Sequence, residues 1–95
     1  MNRNQIKTFV HAHTQTEVTF TKQDGTVRVL LATNHNELIP KEHTPKGVAP
    51  VNEAIVRTFD IENQAWRSFR IDSVTKLVGM NGLGEVMDVI SAFGA

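Results

Sequence analysis

Two runs of alternating residues flank a tight-turn signal, and this arrangement limits the chain more than any other part of it. Val18 and Phe20 alternate with Glu17, Thr19 and Thr21, the period-two pattern of a half-buried strand. Lys22-Gln23-Asp24-Gly25 follows, and Asp-Gly is a favoured pair where a hairpin needs positive φ. From Thr26 to Thr33, Val27, Val29 and Leu31 fall on one face, and Arg28, Leu30 and Ala32 on the other. Apolar residues on both faces late in this strand predict that its end is covered on two sides. A β-hairpin over 17–33 is therefore the local anchor of the fold.

The remaining segments add strands around that hairpin. Glu53 to Asp60 alternates again, with Ala54, Val56 and Thr58 opposed to Ile55, Arg57 and Phe59. Asp60-Ile61-Glu62-Asn63-Gln64 reads as a turn, and Ala65 to Asp72 as the returning arm. On that arm Arg67, Phe69 and Ile71 share one face, and Trp66, Ser68, Arg70 and Asp72 the other. Asp72-Ser73 can start a single helical turn before a closing strand over Val74 to Met80. Ahead of the first hairpin, Ile6, Phe9, Val10 and His13 make one stripe at helical spacing, predicting a short helix over one mouth of the sheet. Beyond Asn81-Gly82 and Gly84, the residues Leu83, Val86, Met87, Ile90 and Phe93 also fall at helical spacing, with Glu85 and Asp88 opposite. This predicts an amphipathic C-terminal helix over 83–93, its acids near the N-terminal end where the macrodipole favours them. Its stripe is expected to pack on the barrel in cis rather than on a second copy. The expectation is a mainly β, single domain over 1–95: a small, partly open, five-stranded Sm/SH3-like barrel with core 16–80. A long loop, 34–52, holds Pro40, Pro45, Pro50 and Gly47. Loops of that length in small domains are either functional or plain surface excursions.

Composition narrows the functional classes. At 95 residues one modest core is the limit, with about two-thirds of the unfolded surface buried. Cysteine is absent, which removes disulfides and thiolate metal sites and fits a reducing cytoplasm. The N-terminal residues lack the apolar run of a signal peptide, and no apolar stretch approaches a membrane span. Ten basic and ten acidic side chains balance to zero net charge, which counts against a dedicated non-specific DNA binder but leaves room for a local basic patch.

The stretch Trp66-Arg67-Ser68-Phe69-Arg70-Ile71-Asp72-Ser73-Val74 resembles the Trp-Arg-x-Phe-Arg-x-Asp-x-hydrophobic signature of small bacteriophage proteins related to the WYL domain, the WYL_2 family. Val18-Thr19-Phe20-Thr21-Lys22 with Asp24-Gly25-Thr26-Val27-Arg28 is similar to that family's first hairpin. Leu38-Ile39-Pro40 and Pro45-Lys46-Gly47 resemble its central loop, and Val56-Arg57-Thr58-Phe59-Asp60 the strand before the signature. The resemblance covers roughly 16–78 and implies an Sm-like SH3 barrel and a phage source. In larger relatives it implies a ligand-sensing module, in which basic and aromatic residues of the barrel surface contact nucleic acid or nucleotides. A fold does not carry an activity with it.

The arginines Arg28, Arg57, Arg67 and Arg70 stand within predicted strands. A guanidinium offers a planar fork of donors to a phosphate or carboxylate and can stack on a base. Arg57, Arg67, Arg70 and Trp66, joined by Lys41 and Lys46 of the loop, are the candidate ligand-binding residues, for a phosphate and a base. The competing reading is structural: Arg70 and Asp72 can pair, and Trp66 can be core. His11, His13, His35 and His43 show no zinc spacing, so no metal or other cofactor is expected; they can confer sensitivity to mild acid. No Gly-x-Ser-x-Gly or phosphate-cradling glycine loop is present, and an enzyme is not expected. The expected partners are a nucleic acid or nucleotide, with a host protein or a homo-oligomer as the alternative.

Overall fold

The computed structural model describes residues 1–44 and 52–91. A helix, α1 (Arg3–Ala12), precedes six strands: β1 (Gln15–Thr21), β2 (Val27–Thr33), β3 (Ile55–Asp60), β4 (Ala65–Arg70), β5 (Val74–Met80) and β6 (Val86–Ile90). All six join one antiparallel sheet in the order β4-β3-β2-β1-β5-β6.

Local chemistry explains most of these boundaries. Asn2 Oδ1 accepts from Gln5 N and Gln5 Oε1 accepts from Asn2 N, both at 2.8 Å, a reciprocal cap at the start of α1. A ten-residue helix is marginal by itself, and α1 persists by burying Ile6 and Val10 against the sheet. Each contributes about 1.5–3 kcal/mol by burial. Arg3 Nε donates to Ile55 O at 3.1 Å, tying α1 to β3. The β1–β2 turn places Gly25 at φ 88°, and Asp24 Oδ1 accepts from Thr26 N at 2.9 Å. That backbone donor holds the Asp24 carboxyl below the usual range. Between β4 and β5, Ile71–Ser73 forms the expected single 3-10 turn.

The sheet curls on itself. Val18 of β1, Val56 of β3, Phe69 of β4 and Leu77 of β5 share one buried cluster with Ile6 and Val10. Phe20 on β1 stacks on Phe69 with ring centroids 5.8 Å apart, although two strands separate β1 from β4 in the sheet. An irregularity between Thr19 and Phe20 in the β1–β5 pairing supplies the local bend that such curvature needs. β2 pairs β3 only at Ala32–Asp60 and Thr33–Phe59, so its first half leaves β3. Closure there relies on side chains, not on a ladder.

Two expectations are corrected. Among the described residues the strands number six, not five, and 86–90 is a strand rather than part of a helix. Asn81 accounts for the change: its Oδ1 accepts from Leu83 N at 2.9 Å and Glu85 N at 3.0 Å, while Gly84 takes φ 81°. The chain is thereby turned back along β5, where Val86, Val89 and Ile90 join a ladder and Ile90 packs against the core. Phe93, the last member of the supposed helical stripe, lies outside the described residues. Within the long loop, Asn36–Leu38 and Lys41–His43 form 3-10 turns.

Candidate ligand-binding cleft

Register on the β3–β4 hairpin decides which candidate residues meet. Phe59 faces Trp66, Arg57 faces Ser68 and Ile55 faces Arg70, so Arg57, Trp66 and Arg70 lie on one face of the hairpin. Thr58 faces Arg67 and Val56 faces Phe69, which puts Arg67 on the opposite face, toward the core. The four candidates therefore do not converge.

Arg57 and Trp66 do meet. The Arg57 guanidinium carbon lies 5.3 Å from the centroid of the Trp66 ring, within cation–π range. Trp66 is half-buried and pinned from two further directions. Its Nε1 donates to His43 O at 2.6 Å, and its edge meets the buried Phe59 ring at 5.6 Å. His43 in turn packs on Phe59, so the 3-10 turn Lys41–His43 covers this small aromatic cluster. The indole is thus a fixed platform, and the guanidinium resting on it is exposed.

That pair lines an open cleft of about 760 Å³ together with Lys7, Thr8 and His11 of α1 and Asn34. Lys7 and His11 are four apart and share a helix face, turned outward from Ile6 and Val10. The sequence shows that spacing; it does not show that this face looks onto Trp66. His35 donates Nε2–H to His11 O at 2.9 Å and the two rings stack at 5.6 Å, which orders one rim of the cleft.

The other candidates are placed elsewhere. Arg70 closes its fork on Asp72, with Nε and Nη2 each 3.1 Å from a carboxylate oxygen. The pairing raises the Arg70 pKa and holds the Asp72 carboxyl below its ordinary range. Ser73 Oγ donates to Arg70 O at 2.6 Å, so this part of the Trp66-to-Val74 stretch fastens the 3-10 turn leading into β5. Arg67 Nε is 3.8 Å from Asp60 Oδ2, and Asp60 is buried and accepts two bonds from Asn63. Lys41 is exposed at the start of its 3-10 turn, outside the cleft lining. Lys46 lies outside the described residues.

A second ordered polar site joins α1 to β6. His13 Nδ1 is 2.7 Å from Phe9 O and its Nε2 is 2.8 Å from Asp88 Oδ2. Both partners only accept, so the imidazole donates from both nitrogens when it is protonated. Burial of the ring opposes the charge, but the Asp88 hydrogen bond, the Phe9 carbonyl and the Asp88 charge outweigh it, and the pKa is raised. No group of three or more His, Asp or Glu side chains suited to a metal is found among the described residues.

Comparison with known proteins agrees with this architecture. The model of the WYL_2 family, described as having an Sm-like SH3 beta-barrel fold, matches residues 6–75. An uncharacterized 11.5 kDa protein from the Gp31-cd intergenic region of enterobacteria phage T4 is 35% identical over 69 residues. The match takes in 70% of this chain and 65% of that relative, so the chain spans slightly less than two-thirds of the relative's length. No solved structure matches.

Proposed function

The chain belongs to the WYL_2 family of Sm-like SH3 barrels, and from that premise we propose that it is a phage-encoded binding module whose α1–β3–β4 cleft takes a nucleotide or a short single-stranded nucleic acid. The observation that carries this is the Arg57 guanidinium held over the pinned Trp66 ring, 5.3 Å away, at the wall of the cleft. A guanidinium seated on an indole has already lost most of its rotamer freedom, so less entropy remains to be lost on binding. Its edge donors suit a phosphate, and its free face suits a base. Lys7 adds a second cation to the cleft lining. The reading needs no chemistry on the bound ligand and places the protein in the host cytoplasm.

Trp66 is the single tryptophan of the chain and so reports on its own site. Titration with nucleoside monophosphates, short single-stranded DNA and single-stranded RNA should change its fluorescence and raise the melting temperature, less so at high salt. Arg57→Ala and Lys7→Ala should each weaken binding about tenfold, as loss of one charge-assisted contact does. Absence of any response across the whole panel at low salt refutes the reading.

A second reading rests on β6, an edge strand whose Met87 and Val89 are 60% and 52% exposed. A free edge with apolar side chains suits strand addition by a partner protein. A complex captured from host lysate that survives nuclease and high salt, and is lost on Val89→Lys, supports this alternative.

A further inference from the structure

The gap where β2 leaves β3 forms a second pocket, on the other face of β4 from the Arg57–Trp66 cleft. It encloses about 190 Å³ and is lined by Phe20, Lys22, Arg28, Asp60, Arg67 and Ser68, among others. Two of its cations occupy unusual register positions. Arg28 faces Phe20 in the β1–β2 ladder, on the face that continues through Val18–Leu30 and Thr16–Ala32 into the core. Arg67 faces the buried Thr58, on the face that Val56 and Phe69 give to the core. Both guanidiniums therefore stand at core-facing positions where the barrel opens.

Cations outnumber carboxylates in the lining of this opening, with the neighbouring Asp24 carboxylate within electrostatic reach of Lys22 alone. Among the described residues, Lys22 and Arg28 have no side-chain hydrogen bond or ion pair, and Arg67 has only the 3.8 Å approach to Asp60. Asp60 is buried and its two oxygens accept from Asn63 at 3.1 and 2.7 Å. Three cations thus line a pocket with one committed carboxylate. Phe20, held by its stack on Phe69, supplies a rigid apolar floor. The space of about 190 Å³ has room for one tetrahedral oxyanion and its bridging waters.

We propose that this opening is a binding site for a single phosphate group, held between Arg28, Arg67 and Lys22. The site is separate from the cleft and stands or falls without it. The phosphate can come from a small metabolite or from a nucleic-acid backbone, and the two sources are distinguished by the test. Amide NMR on the full chain is titrated with inorganic phosphate, with a nucleoside monophosphate and with a short single-stranded oligonucleotide, using chloride at matched ionic strength as the control. Inorganic phosphate should produce saturable shifts at Phe20, Arg28 and Arg67 that chloride does not produce. Arg28→Gln, an exposed position, should weaken this response about tenfold while Arg57→Ala leaves it unchanged. Arg67→Gln is the companion variant, read only if its spectrum remains folded. Saturation by the monophosphate and not by the oligonucleotide assigns a small-molecule phosphate; the reverse assigns a backbone phosphate. Shifts that grow linearly without saturating, or that match those of chloride, or that persist in Arg28→Gln, overturn the proposal.

Discussion

Raising the pH through neutrality should weaken the attachment of β6 to α1, and the His13–Asp88 pair gives the size and sign of the effect. His13 is clamped on three sides: Phe9 O at 2.7 Å, Asp88 at 2.8 Å, and the Gly79 backbone, where even a methyl group would stand 2.5 Å from the ring. Its folded pKa lies above the ordinary histidine value. Its contribution is therefore fully present below the unfolded pKa, near 6.5, and is lost as the pH rises through the higher folded value. The Asp88 side chain is 65% exposed, so the ionic part is screened and contributes only about 0.5–1 kcal/mol. Asp88→Asn retains an acceptor of the same shape and removes the charge, and should cost that amount at pH 6 and almost nothing at pH 8.5. His13→Ala removes both hydrogen bonds and the ring's contact with Phe9, whose centroid is 4.4 Å away, and should cost about 2–3 kcal/mol. In a domain of this size each kcal/mol moves Tm by about 4–8 °C. The assay is urea unfolding across this pH range, with the His13 ring titrated by NMR to separate it from His11, His35 and His43. A His13 midpoint at or below 6.5, or a pH slope identical in wild type and Asp88→Asn, refutes the reasoning.

Gly79→Ala drives a methyl group into the clamped His13 ring and should cost about 1–3 kcal/mol. Measured in the His13→Ala background the same change should be nearly neutral, a coupling that a double-mutant cycle reads directly. Leu77→Ala, at a fully buried position in the main cluster, should cost about 2–5 kcal/mol in denaturant unfolding. Thr58 Oγ1 is buried with no hydrogen-bond partner among the described residues, so Thr58→Val should be neutral or stabilising by up to about 1 kcal/mol in the same assay. Asp72→Asn opens the Arg70 fork, but at an exposed surface the melting temperature should barely change.

Local chemistry was legible wherever neighbouring residues alone decide the conformation. Asp24-Gly25 marks the first hairpin, the alternation of 53–60 and 65–72 marks the second, whose returning strand ends at Arg70, and Asp72-Ser73 marks the short turn between β4 and β5. The C-terminal segment departs from the helical expectation because Val86, Met87 and Ile90 fit a helical stripe as well as an edge strand. A five-residue strand carries too few positions to separate the two periods. Asn81 was visible as a breaker, yet its capping of Leu83 and Glu85 is a property of the folded turn.

The candidate site divides in the same way. Alternation placed Arg57 with Phe59 on one strand, and Trp66 with Arg70 on the other, from residue order alone. It could not say which face of β3 joins which face of β4, because that depends on pairing register, and a shift of one residue exchanges the faces. Register set Phe59 opposite Trp66 and Thr58 opposite Arg67, bringing Arg57 onto the indole and sending Arg67 to the barrel opening beside Arg28. It also left Arg70 to Asp72, two residues away. Lys7 and His11 entered the cleft only because α1 packs Ile6 and Val10 into the core and turns its polar face toward β3 and β4. The sequence by itself determined the hairpins, the turns and the supply of arginines, since these follow from φ preferences and side-chain period. Which charges share a pocket was decided by strand register and helix docking, which are fixed by burial of the whole core and are encoded in no single segment.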